Sequence, residues 1–156
     1  MWTPLRQEIE QVRKKLNISS ERFHAVPLNE WNRIQQNILE KFCYPNNVGW
    51  IWEKLKKKDY AIQFEYENSF VQLLKVVDGS EKVWLFLNET VSERTKYWFY
   101  EGFISEIVSI LYESSLINEV YVASKKYEWL LCINHHDYLI ATGETIAEKL
   151  MTTSTK

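Results

Sequence analysis

The first third of the chain carries apolar residues at every third or fourth position, which is the spacing of one helix face. Thr3 and Pro4 are a typical N-cap and first-turn pair, so the first helix is predicted over residues 3–17. Asn29 is expected to cap a second helix, and a third, short helix follows. The three apolar stripes are, in order, Leu5, Ile9, Val12 and Leu16; Trp31, Ile34, Ile38, Leu39 and Phe42; and Val48, Ile51, Trp52 and Leu55.

From residue 59 onward the period of the pattern changes to two. Tyr60, Ile62, Phe64 and Tyr66 alternate with other residues, which is typical of a strand with one buried face. Residues 83–87 are apolar on both faces, so they are predicted to form a central strand covered on both sides. Further strands are predicted at 97–100, 119–123, 127–134 and 138–142, with a helix favoured over a strand at 69–77, an apolar helix from Phe103 to about Ser114 and a closing helix at 145–150.

These elements predict an α+β fold. N-terminal helices precede a mainly antiparallel sheet of about five strands, with one packed helix and a short C-terminal helix. A length of 156 residues suits one hydrophobic core, so residues 1–156 are expected to form a single domain. Within it, residues 1–58 are the helical part, residues 59–150 the sheet-rich part and residues 151–156 a polar tail.

Composition narrows the class of protein. Apolar residues make up 46% and charged residues 26%, with 4 Gly and 3 Pro, which excludes a disordered or low-complexity chain. A net charge of −2 provides no general attraction for phosphates, and the lysines at 54 and 56–58 are bracketed by acidic residues, so no nucleic-acid partner is expected. No apolar run is long enough for a membrane span, and no leader pattern opens the chain. A cytoplasmic protein without a membrane partner is predicted.

Motifs of common catalytic and cofactor sites do not occur in the sequence. It contains no GxGxxG, GxxxxGK[ST], GxSxG, HExxH or CxxC. Cys43 and Cys132 are too few for a disulfide framework or a zinc site, and Cys132 lies in an apolar run where a buried thiol is the ordinary interpretation. No cofactor is therefore expected, and a binding role is favoured over an enzymatic one.

The segment Asn134-His135-His136-Asp137 is a cluster with the character of a ligand or a general base. Adjacent residues of an extended chain point to opposite faces, and no third ligand is nominated, so no metal site is expected. The segment also suits a turn between two strands, because Asn and Asp side chains bond nearby backbone amides. Three interpretations stay open, namely a turn, a contact with a partner or ligand, and a catalytic role.

A second group of candidate residues lies at 97–101. Tyr97, Trp98 and Tyr100 belong to no apolar stripe in the pattern, and aromatic residues of this kind are enriched at binding hot spots. Glu101 precedes an apolar helix, whose first-turn amides favour a carboxylate. We hypothesise that these four residues and Asn134, His135, His136 and Asp137 lie on one surface, where they would recognise a protein or a small polar ligand.

Three segments of the chain resemble a small bacterial family of uncharacterised single-domain proteins. They read KYWFYEG at 96–102, SKKYEWL at 124–130 and NHHD at 134–137, and the resemblance covers roughly residues 60–150. It implies an α+β domain without an established activity, in a family connected with toxin immunity. The predicted architecture is also similar to that of the SMI1/KNR4-like immunity proteins, although their Trp-containing opening and Gly-Gly turn are missing here.

Two functions of different classes follow from these observations. The leading hypothesis is a cytoplasmic bacterial domain that binds another protein, with an immunity or antitoxin-like role as its particular form. The alternative is a small enzyme or ligand-binding protein with a pocket around Glu101, His135 and His136. A flat surface would favour the first hypothesis and an enclosed pocket beside the histidines the second.

Overall fold

A computed structural model describes residues 3–45, 50–65, 68–93 and 95–154. Val48, Tyr66 and the last two residues of the predicted tail lie outside the described residues. The described residues form five α-helices, namely α1 (Pro4–Lys15), α2 (Leu28–Phe42), α3 (Asn68–Val76), α4 (Ile104–Glu113) and α5 (Glu144–Ser154), with 3-10 turns at Ile51–Glu53 and Val91–Glu93. The strands are β1 (Phe23–Ala25), β2 (Tyr60–Gln63), β3 (Lys82–Asn88), β4 (Trp98–Phe103), β5 (Glu119–Ser124), β6 (Leu130–Ile133) and β7 (Tyr138–Thr142).

The seven strands form one antiparallel sheet in the order β1-β4-β3-β5-β6-β7-β2. The predicted α+β class is confirmed, with seven strands where about five were expected. β3 lies inside the sheet between β4 and β5, and its residues from Val83 onward are buried, as its apolar sequence indicates.

Helices cover both faces of the sheet. Successive strand residues point to opposite sides, so the interior strands contribute to two core clusters. Val83, Leu85 and Leu87 of β3 belong to one core cluster, which also contains apolar residues of α1, α3, α4 and α5. Trp84 and Phe86 belong to a second cluster with α2 and the turn Ile51–Glu53. The result is a three-layer arrangement in which the sheet lies between four helices and one.

Several predicted elements have different boundaries in the structure. Thr3 Oγ1 accepts a bond from the Arg6 amide, so the first N-cap is confirmed, but α2 begins after Pro27 and Asn29 does not cap it. The third helix shrinks to one 3-10 turn. The closing helix is longer than expected and runs through residues 151–154, which were predicted as tail, because the buried Leu150 anchors its middle against the core.

Strand β1 is absent from the sequence prediction. It has only three residues and pairs with β4 alone, in a register that places Phe23 opposite Gly102. A Cβ at position 102 would lie 2.8 Å from Phe23 Cδ2, so the glycine allows the Phe23 ring to cross β4. The strand therefore depends on its pairing with β4, and three residues are too few to show a hydrophobic period in the sequence.

Candidate interaction surface at one end of the sheet

The aromatic residues at 97–100 lie in the core. Tyr97, Trp98 and Tyr100 are 5%, 8% and 4% exposed. Trp98 and Tyr100 belong to the four-helix side, whereas Tyr97 packs edge-on against Phe86 on the α2 side. The expectation that these rings are surplus to the fold is therefore corrected. Helices cover both faces of strand β4, so side chains that alternate between its two faces are buried on either side of the sheet.

Glu101 lies at the other end of the sheet from the histidines. It is level with Trp84, which in turn pairs with Ala123 of β5 and through it with Leu130 of β6. The histidines follow Ile133, about 10 Å further along and about 14 Å across the sheet. A shared pocket of Glu101, His135 and His136 is thus not formed.

Two lysines form ion pairs with the carboxylate of Glu101. Lys125 Nζ lies 2.7 Å from its Oε2, and Lys82 Nζ lies 3.1 Å from its Oε1. Burial opposes ionisation of Glu101, but the hydrogen bonds from these lysines outweigh it and lower the pKa of the carboxyl. The prediction that Glu101 lies at the N-terminus of α4 is therefore wrong. The residue lies within β4 and forms ion pairs with the two lysines.

Asn134-His135-His136-Asp137 forms the turn between β6 and β7. The Asn134 side chain is buried, and its Oδ1 accepts bonds from the amides of His136 and Tyr138. Asp137 adopts a left-handed φ of 63°, a conformation that Asp tolerates better than most residues. The turn interpretation of this motif is confirmed, and the turn presents both imidazoles at the end of the sheet.

The carboxylate that does lie beside the histidines is Glu119, the first residue of β5. Its side chain is fully buried. Trp52 Nε1 donates to its Oε1 at 2.6 Å, the Tyr121 hydroxyl lies 3.4 Å from the same atom, and His135 Nδ1 lies 3.4 Å from Oε2. Burial raises the pKa of Glu119 to about 7, against the opposing effect of hydrogen bonds from the Trp52 side chain, the His135 backbone and the Tyr121 side chain.

Two tryptophans and the two histidines form a ring cluster around this carboxyl. The rings of His135 and His136 are 4.0 Å apart. Trp50 lies 5.3 Å from His135, and Trp52 lies 6.1 Å from His136. Trp50, whose role the pattern left open, is 5% exposed, whereas Trp52 is only partly buried. The segment at 50–53 and the β6–β7 turn are thus held together at Glu119.

Three clefts are lined by residues at this end of the sheet. The first, of about 210 Å³, is lined by Ser69, Asn118, Asn134, His135 and Asp137 with four apolar residues. The second, of about 250 Å³, is lined by Thr3, Pro4, Glu89, Thr90, Glu93, Lys96 and Trp98. The third, of about 300 Å³, is lined by Gln35, Leu39, Ile51, Lys54, Thr95 and Tyr97.

The register explains why residues that line these clefts emerge at the same end of the sheet. Leu87 of β3 pairs with Trp98 and Val120, and Val120 pairs with Ile133. Residues one step beyond this row therefore emerge at a common end. We call residues 50–54, 88–93, 95–98, 117–119 and 134–137 the sheet-end surface. Of the eight predicted site residues, the four at 134–137 form one of its turns, the buried Tyr97 and Trp98 line two of its clefts, and Tyr100 and Glu101 lie elsewhere.

The described part of the chain has no group of three or more His, Cys, Asp and Glu side chains arranged to hold a metal ion. Cys43 and Cys132 are free and buried. Burial raises the pKa of Cys43 to about 11 and that of Cys132 well above its usual value, so both thiols stay protonated. The chemistry available at the sheet-end surface is that of carboxyl, imidazole, amide, ammonium, hydroxyl and indole groups.

Sequence reasoning missed Glu119, Ser69 and Asn118, and it assigned Trp52 to the core. One signal was present for Glu119: it is the only charged residue in the otherwise apolar strand segment at 119–123. A charge at the start of an interior strand is rarely fully buried without a partner. The pattern alone does not name that partner, because His135 is brought to it by the pairing of β5 with β6.

The fold and its surface define a three-layer α+β protein with open clefts at one end of its sheet. Residues 1–154 match the model of a family of unknown function, DUF6756, and the chain belongs to that family. The expected membership of an uncharacterised family is confirmed, and the match also includes the N-terminal helices. No curated protein and no solved structure matches the chain. Among the described residues, no helix has the length and apolar character needed to cross a membrane.

Proposed function

We propose that this protein acts by binding another protein through the sheet-end surface. The observation that carries the proposal is the presence of three separate clefts, of about 210, 250 and 300 Å³, with lining residues at the same end of the sheet. Sites for small molecules are usually single concave pockets of about 300–1,000 Å³ that bury most of the ligand. Three clefts at one end of the sheet, each at or below the lower limit of this range, instead suit several side chains of one partner.

The chemistry of the first cleft favours a polar contact. His135 and Asp137 line it together with the buried Asn134. Tyr138, next to the turn, is 40% exposed and adds an amphipathic ring of the type enriched at interfaces. A protein partner that inserts one polar side chain here would find both hydrogen-bonding groups and aromatic surface.

A small polar ligand in the first cleft is the second candidate. A volume of about 210 Å³ corresponds to roughly seven water molecules at about 30 Å³ each, which is enough for a ligand of a few heavy atoms. Nucleic acid is not proposed, because a net charge of −2 supplies no field for phosphates.

The proposed setting is the bacterial cytoplasm, and the particular form of the proposed role is immunity or antitoxin-like. Two free thiols in one chain favour a reducing compartment, where disulfides are rare. The bacterial setting and the immunity role come from the family resemblance of the three motifs at 96–102, 124–130 and 134–137.

The test is affinity capture from native cells with chemical cross-linking, comparing three forms of the chain. The wild type is expected to capture a partner that the double variant His136→Ala with Asp137→Asn loses. Lys126→Ala with Glu128→Ala is the matched control, since both side chains are exposed at the β5–β6 turn, at the other end of the sheet. A partner retained equally by all three forms would contradict the assignment of the surface.

A further inference from the structure

Glu119 joins the β6–β7 turn to the interior of the protein. Its Oε1 accepts the indole proton of Trp52, and its Oε2 faces His135 Nδ1 at 3.4 Å. No lysine or arginine of the described residues pairs with this carboxyl, although the residue is fully buried. The His135 imidazole lies within ion-pair distance of the carboxyl and can compensate its charge when protonated, whereas Lys58 Nζ lies over the Trp52 ring at 5.6 Å and the His136 ring lies 4.0 Å from that of His135.

The other titratable groups around Glu119 do not replace that partner. Tyr121 lies on the same strand, Tyr97 reaches the site from the start of β4, and Cys132 comes from β6. Burial raises the pKa of each of these three groups, so they remain uncharged at neutral pH. Glu53, from the 3-10 turn, is negative and disfavours a second carboxylate.

We infer that Glu119 and His135 form a proton-sharing pair that makes the sheet-end surface sensitive to pH. With one proton between them, the buried carboxyl is either neutral or opposed by an imidazolium, so no buried charge is uncompensated. A second proton leaves an imidazolium beside a neutral carboxyl and removes their attraction. The His135 side chain is 27% exposed, so the cation gains solvation by turning outward.

His135 transmits this change to the surface because it touches both sides of the sheet end. It contacts Trp50 and Glu119 on the α2 side, and it lines the cleft of about 210 Å³ that contains Ser69 and Asp137. Movement of its ring reshapes that cleft. The consequence for partner binding rests on the proposed function, whereas the proton-driven movement of the turn does not.

The test uses the free protein in ¹H–¹⁵N NMR between pH 5 and pH 8.5, with no partner present. The Trp52 indole resonance reports on Glu119 directly, because that N–H donates to the carboxyl. Its shift and those of the amides at 135–137 are expected to titrate together, because both report on the protons that Glu119 and His135 hold as a pair. Glu119→Gln should abolish the shared titration.

Two further variants keep the inference open to refutation. His135→Asn should abolish the titration of the turn even if Glu119→Gln fails to fold, and His136→Asn, the matched control, should preserve it. A Trp52 resonance that does not move with pH, or that moves equally in the His135→Asn variant, would overturn the inference. If the titration fails while capture still depends on His136 and Asp137, only the proton-sharing pair is refuted. If the titration is present and capture is unaffected by those two residues, only the proposed function is refuted.

Discussion

Replacing Glu119 by Gln should remove a pH-dependent loss of stability. The carboxyl is fully buried, and burial raises its pKa from 4.5 to about 7. Between these two values the folded protein retains a proton that the unfolded chain has released, so the free energy of unfolding falls as the pH rises. Below pH 4.5 both states are protonated, and above pH 7 both are ionised and the full penalty is present.

The size of this effect follows from the two pKa values. A separation from 4.5 to about 7 corresponds to about 3 kcal/mol at about 1.4 kcal/mol per pH unit. The amide of Gln resembles the neutral carboxyl and does not titrate. The unfolding free energy of Glu119→Gln minus that of the wild type should therefore increase by about 3 kcal/mol between pH 4.5 and pH 8.

Urea unfolding followed by tryptophan fluorescence at four pH values across this range measures the difference. Glu128→Gln is the control, because Glu128 is an exposed carboxyl at the other end of the sheet and should show no such trend. A difference between Glu119→Gln and wild type that stays constant within about 0.5 kcal/mol would refute the assignment of a buried, protonated carboxyl.

Substitutions at three other positions test packing and backbone conformation. Gly102→Ala should destabilise the protein by about 1–3 kcal/mol, because the added Cβ would lie 2.8 Å from Phe23 Cδ2 and 2.9 Å from a backbone oxygen, and thermal unfolding will show whether it does. Phe86→Ala should cost about 3–5 kcal/mol in urea unfolding, since its ring is 1% exposed and stacks between Phe99 and Tyr121 at 5.2 and 5.0 Å. Asn17, at φ 56° after α1, should tolerate Gly but lose about 1–2 kcal/mol as Val, and equal thermal midpoints for the two variants would contradict this.

Local periodicity was sufficient for most of the elements. The stripe around Leu5 and Ile9 matches α1, and the doubly apolar run at 83–87 matches the interior strand β3. Such patterns are set by neighbours within a few residues, because a helix face or a strand face repeats over short distances. The same local chemistry predicted the turn at 134–137, where Asn134 satisfies nearby amides with its own side chain.

Local periodicity could not predict which residues form the sheet-end surface. Glu101 and the histidines, which were predicted to share a pocket, are about 35 residues apart in sequence. Only the strand order and register show that they lie at opposite ends of the sheet. The same strand order brings Glu119 to His135, since β5 and β6 are neighbours. Neither outcome leaves a trace in the spacing of residues along the chain.

The amino-acid sequence was thus enough to define the α+β class, the apolar faces of the main elements and the turn that carries His135 and His136. Tertiary structure decided which aromatic rings are buried, because a strand that looks half-covered by its own pattern is fully covered when helices pack on both faces. It also decided the identity of the carboxyl at the surface, because the pairing of distant strands is fixed by the register of backbone hydrogen bonds and by packing between layers.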